Sequence, residues 1–91
     1  MKRNKNTKDI AVALKYKPEE DDAPKVIAKG ENKVAENIIN QAKEHDIPIY
    51  QDEKLSRQLN SLEIEQVIPQ ELYEAVAQVL VFISDIDNEE A

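Results

Sequence analysis

The hydrophobic positions of this 91-residue chain form short runs near its start and one-sided stripes further along. The run I-A-V-A-L-K-Y over residues 10–16 is apolar or β-compatible apart from Lys15, which predicts a short strand with much of its surface covered. K-P-E-E-D-D-A-P, residues 17–24, reads as a polar loop bracketed by prolines that end one strand and prepare the next. K-V-I-A-K, residues 25–29, is the second strand. Gly30, the only glycine, is expected to permit a backbone turn that a β-carbon would hinder and so to launch a helix. Between Glu31 and His45, the residues Val34, Ala35, Ile38, Ile39 and Ala42 make the stripe of an amphipathic helix. Pro48 forbids its continuation, and Ile47–Gln51 reads as a third strand. Residues 25–51 then form a β-α-β unit, its strands parallel and joined by a right-handed crossover.

Asp52 is placed to cap a second helix over 53–61, where Leu55, Leu59 and Leu62 recur at helical spacing. Pro69 suits the first turn of a third helix over 70–83, with Glu71 near its positive end. Leu72, Val76, Val79, Leu80 and Ile83 give that helix an apolar face. The predicted fold class is α/β, with a small mixed sheet of about three strands covered by three to four helices. The expected organisation is a flexible basic arm over 1–9, one domain over 10–84 and a frayed acidic tail over 85–91.

Composition narrows the chemistry. There is no cysteine, hence no disulfide, no thiol nucleophile and no Cys-ligated metal. The longest apolar run, Val79–Ile83, is far too short to span a bilayer, and no apolar segment follows the basic start to make a signal peptide. The net charge of −7 is unevenly spread. Lys2, Arg3, Lys5, Lys8 and Lys15 face only Asp9 in the first sixteen residues, while Glu19, Glu20, Asp21 and Asp22 form a run in the first loop. An acidic body repels nucleic acid. The basic arm alone supports a nucleic-acid-binding alternative.

No catalytic constellation emerges. His45, the single histidine, falls at a predicted helix C-terminus, where a protonated imidazole complements the dipole. The acidic run 19–22 lacks the glycine spacing of a calcium loop. One glycine cannot build a phosphate cradle. Ser56, Ser61 and Ser84 have no base nearby in sequence. Neither a cofactor nor a metal is expected.

The order of segments carries more. A-V-A-L-K-Y, a Pro-bearing acidic loop, A-P-K-V-I-A-K-G, an amphipathic helix, I-P-I-Y-Q-D, L-S-R-Q-L and V-I-P-Q-E-L-Y-E-A-V-A-Q-V-L together resemble the C-terminal cytoplasmic domain of the FlhB/YscU family, the substrate-specificity switches of flagellar and type III export. The resemblance covers about Ile10 to Phe82. It implies an Asn-Pro-Thr-His motif just before the first strand, where family members cleave themselves as the Asn side chain cyclises onto its own carbonyl. The matching positions here are Asn6, Thr7, Lys8 and Asp9. Only the Asn is kept, so self-cleavage is expected to be absent, and residual cleavage at Asn6–Thr7 is a second alternative.

The resemblance further implies a freestanding relative that lacks the membrane region and has one strand fewer than the family. Its expected function is a non-enzymatic protein-interaction module of flagellar or type III export, cytoplasmic and peripheral to a membrane export complex. Expected partners are gate components, chaperones or export substrates, with no nucleic acid. The residues assigned to partner binding are Ile10, Val12, Leu14 and Tyr16 on an open strand edge, Glu19, Glu20, Asp21 and Asp22 in the loop, and Lys25 and Lys29 on the second strand. An open edge recruits a strand from another chain or from a second copy, unless Lys8, Asp9 and Lys15 blunt it.

Overall fold

A computed structural model describes residues 9–90, with side chains through Ile83. The arm 1–8, with the degenerate motif positions Asn6, Thr7 and Lys8, lies outside the described residues, as does Ala91. The elements run β1 (Ile10–Lys15), β2 (Lys25–Glu31), α1 (Lys33–Glu44), α2 (Glu53–Asn60), a single 3-10 turn (Gln70–Leu72) and α3 (Tyr73–Glu90).

The two strands form an antiparallel pair, in register from Ile10 opposite Glu31 to Lys15 opposite Lys25. A bulge between Ala13 and Leu14 leaves Ile27 of β2 as the extra residue. One face of the pair carries the main core. Val26 and Val76 are buried there with Leu55, Leu59, Leu62, Ile68 and Leu72, and Val12 and Leu14 pack against them. The other face carries Ala11, paired with Gly30, and receives α1, whose Ala35 is fully buried. The α/β class therefore stands: a thin sheet lies between α1 and the pair α2 and α3.

Three expectations need correction. Ile47–Gln51 is not a strand, so the described residues contain no β-α-β unit and no parallel pairing. The helix before it explains why. Asp46 takes a left-handed conformation (φ 58°), and the N–H of Ile47 bonds back to the Ala42 carbonyl at 2.8 Å, a Schellman ending of α1. Ile47 thereby spends its donor on the helix and Pro48 has none to give, which leaves the segment without a ladder.

Gly30 is the second correction. It lies within β2, without positive φ; the left-handed turn into α1 falls on Asn32 (φ 54°). What Gly30 supplies is room. A Cβ there would meet Val34 Cγ1 at 2.0 Å and Val34 Cβ at 2.6 Å, so its missing side chain sets how closely α1 approaches the sheet. Thirdly, α3 runs to Glu90 rather than ending at residue 83.

The local signals hold elsewhere. Asp52 Oδ1 accepts the N–H of Leu55 at 3.0 Å and caps α2. His45 is the C-cap of α1. Pro69 precedes the helical residues and is the N-cap of the 3-10 turn that leads into α3.

Candidate functional site

The loop after β1 folds on itself. The N–H groups of Glu20 and Asp21 bond the Lys17 carbonyl at 2.9 and 2.7 Å, and the Asp21 carboxylate accepts the Lys17 N–H at 2.9 Å. This knot presents Glu19, Glu20 and Asp22 to solvent and turns Ala23 and Pro24 inward, where both are buried. The chain then enters β2.

Beside the knot lies an open groove of about 200 Å³. Its floor is Ala23, Pro24, Ile68 and Val76, Ala77 and Leu80 of α3 flank it, and Tyr16, Tyr73 and Asp22 stand at its rim. That volume falls below the range of small-molecule and cofactor pockets, which runs from about 300 Å³ upward. It matches the size of one apolar side chain, with Asp22 of the knot at its border. Both tyrosines are partly exposed, Tyr16 at 37% and Tyr73 at 46%, and offer flat rings with a polar tip.

Lys25 stands at the start of β2 and pairs with Glu65 at 3.0 Å. The hydrogen bond and the charge of Glu65 raise its pKa above the usual lysine value, with a smaller push from Asp21, against a modest desolvation that lowers it. Lys29 points elsewhere: its Nζ donates to the Asn60 carbonyl at 3.0 Å, and Asn60 Nδ2 donates to Glu31 at 3.0 Å, tying β2 to the end of α2 where a cation is favoured.

The residues expected to bind a partner therefore divide. Tyr16 and Asp22 meet at the groove, and Glu19, Glu20 and Asp21 belong to the same loop as Asp22. Ile10, Val12 and Leu14 belong to the β1 edge, while Lys25 and Lys29 hold the fold together through Glu65 and Asn60. The sequence reading missed Ala23, Pro24, Ile68, Tyr73 and Ala77 as groove residues. The available signal was the A-P pair before β2 and a tyrosine four residues before Ala77, off the apolar face of α3. Among the described residues, no group of His, Cys, Asp or Glu is placed to hold a metal, and no helix is long and apolar enough to cross a membrane.

A thin sheet between helical layers, with a side-chain-sized groove and an acid at its rim, defines a small α/β domain with a peptide-scale surface. The chain belongs to the FlhB HrpN YscU SpaS family, whose model matches residues 5–83. It is 44% identical over 78 residues to YlqH of Bacillus subtilis (strain 168), covering 86% of this chain and 84% of that one. It is 38% identical over 79 residues to the flagellar biosynthetic protein FlhB of Aquifex aeolicus (strain VF5), covering 86% of this chain but 23% of that protein. The crystal structure of the cytoplasmic domain of FlhB from Shewanella putrefaciens superposes with a TM-score of 0.85 at 37% identity, over 90% of this chain and 64% of that one. The fold is thus that of an export-gate cytoplasmic domain, and the chain spans roughly a quarter of the FlhB proteins it matches.

Proposed function

We propose that this protein is a non-enzymatic interaction module of flagellar or type III export, working in the cytoplasm beside the membrane complex, and that its groove takes one apolar side chain from an extended segment of an export partner. The observation that carries this reading is the groove itself: an apolar floor too small for a cofactor, rimmed by Tyr16, Tyr73 and Asp22, with Glu19 and Glu20 exposed in the same loop as Asp22. A partner suited to it carries an aliphatic or aromatic anchor with basic rather than acidic neighbours. Gate components, chaperones and export substrates are the partner classes the family suggests.

Ala77 offers a clean test, because it is exposed on α3 and lines the groove. Ala77→Glu fills and charges the site without touching the core. Purified gate components, chaperones and export substrates are assayed against both forms by calorimetry. The expected outcome is that at least one binds the wild-type chain and loses at least about tenfold in affinity to Ala77→Glu, or about 1.4 kcal/mol. Binding unaffected by the substitution removes the groove from the interaction, and no binding by any of the three classes removes the proposed role.

A further inference from the structure

Between α2 and the 3-10 turn the chain crosses the outside of β2 as a strap. Leu62 and Ile68 are buried, and every residue between them, from Glu63 to Val67, is exposed. The side chains of Ile64 and Val67 stand in solvent at 46% and 49%, so they add little burial to hold the strap down. Its attachment is mostly main-chain. Glu65 N–H donates to the Val26 carbonyl at 2.6 Å, Val26 N–H to the Gln66 carbonyl at 3.0 Å, and Ile68 N–H to the Pro24 carbonyl at 2.9 Å.

The turn inside the strap opposes the preference of its own residue. Gln66 N–H donates to the Glu63 carbonyl at 3.0 Å, and Gln66 Oε1 accepts the Glu63 N–H at 2.8 Å. The third residue of this turn, Glu65, is left-handed (φ 74°), while Ile64 before it is not. That is the type II pattern, whose third position favours glycine because a β-carbon there crowds the following carbonyl. A glutamate in this place stores backbone strain. What it adds is a carboxylate 3.0 Å from Lys25 Nζ, a contact that glycine lacks. The pair is a weak clasp, since much of the Glu65 side chain and part of the Lys25 side chain are open to water.

Ile68 belongs both to the strap and to the floor of the groove, where Ala23 and Pro24 lie beside it. We infer that residues 63–68 are a hinged strap, held shut by the Lys25–Glu65 clasp against a strained turn, and that the groove keeps its floor only while the strap is closed. Leu62, seated in the core, and Pro69, at the N-cap of the 3-10 turn, bound the moving part. Opening lifts Ile68 from the floor and breaks the bonds to β2 together, while the β1–β2 ladder and the helices stay formed. Whatever occupies the groove then favours the closed strap, by as much as it prefers a complete floor. This device depends on the geometry of the groove and not on what the groove receives. It can fail while the proposed function stands, and the reverse.

Amide hydrogen exchange of the full chain, with no partner present, tests the strap. The amides of Val26, Glu65 and Ile68 are expected to share one level of protection, about tenfold or more below that of Val79 in the middle of α3. Glu65→Gln removes the charge of the clasp and keeps the strain. It is expected to speed the three amides by about threefold and to abolish their acceleration by salt. Glu65→Gly removes charge and strain together, and is expected to slow them by about threefold or more relative to Glu65→Gln. The chain has no cysteine, so Ala23→Cys places a single reporting thiol in the floor, where Ala23 is 6% exposed. Its labelling by an aromatic disulfide is expected to be faster with Glu65→Gln than with Glu65→Gly. Three results would overturn the inference: the three amides as protected as Val79, exchange faster in Glu65→Gly than in Glu65→Gln, or labelling indifferent to both substitutions. The first makes the segment part of the global unit, the second removes strain from the turn, and the third uncouples the strap from the groove. The exchange readings need no thiol and stand whether or not Ala23→Cys folds.

Discussion

Along β2, the outer side is met by the segment Glu65–Ile68. Val26 N–H donates to the Gln66 carbonyl at 3.0 Å, its own carbonyl accepts from Glu65 N–H at 2.6 Å, and Ile68 N–H reaches the Pro24 carbonyl at 2.9 Å. The bulge at Ile27 and the lysines at 25 and 29 interrupt what remains. Along β1, the outer side meets nothing among the described residues, and its middle is uncharged. Among the described residues, the same two-stranded ladder thus has one covered side and one bare side. Both strands are short and β-branched in part, so composition does not separate them. What separates them is whether a later piece of chain returns to cover the strand.

The largest expected effect comes from stripping the covered side. Ile68 is 2% exposed and anchors the covering segment to the core. Ile68→Ala is expected to cost about 2–5 kcal/mol in urea unfolding and to speed amide exchange at Val26 toward that of Val12. If Val26 stays as protected as before, the segment is not what finishes that side.

Gly30→Ala comes next. The added Cβ meets Val34, a β-branched residue whose own Cβ is held by the helix backbone, so α1 must move outward. An overpacking cost of about 1–3 kcal/mol is expected, read as a lower thermal midpoint. An unchanged midpoint would show that α1 is not seated on the Ala11–Gly30 face as closely as described.

The smallest effect concerns the Lys25–Glu65 pair, which fastens the covering segment at the protein surface. The folded pKa of Lys25 lies above the ordinary value of 10.5, so the charged form is favoured by folding. Its contribution to stability is complete below that ordinary value and is lost as pH rises through the raised one. Lys25→Met is therefore expected to lower the urea midpoint slightly near neutral pH, with the gap closing at strongly alkaline pH. Glu65 is largely exposed, with 67% of its side-chain surface accessible, so salt is expected to shrink the gap as well. A gap that widens on alkalinisation contradicts the pairing.

How much of this was legible depends on range. Leu55 and Leu59 announced the inner face of α2, and both are buried with Leu62 just past its end. Asp52 announced the cap, because a cap bond spans three residues and its chemistry is complete within them. Ile47–Gln51 was misread because apolar alternation is shared by paired strands and by connecting segments such as this one, whose Tyr50 ring meets Phe82 of α3. Only the presence of a neighbouring strand distinguishes the two. The pairing of residues 65–68 with β2 was missed for the same reason, although V-I-P is a β-branched pair before a proline. The groove was half legible: Tyr16 and Asp22 were named as binding residues, but Ala23, Pro24, Ile68, Tyr73 and Ala77 come from distant points of the chain.

The sequence by itself determined the strand and helix segments whose signals are local, the helix caps, the lack of cysteine, the charge asymmetry and the family. Tertiary structure decided three further things: that Gly30 serves a close approach of α1 rather than a turn, that the segment 65–68 returns to cover the outer side of β2, and that residues from the first loop and from α3 share one groove. Each of those depends on contacts between segments tens of residues apart. Their free energy comes from burial and main-chain pairing across the fold, and no short window of sequence contains both partners.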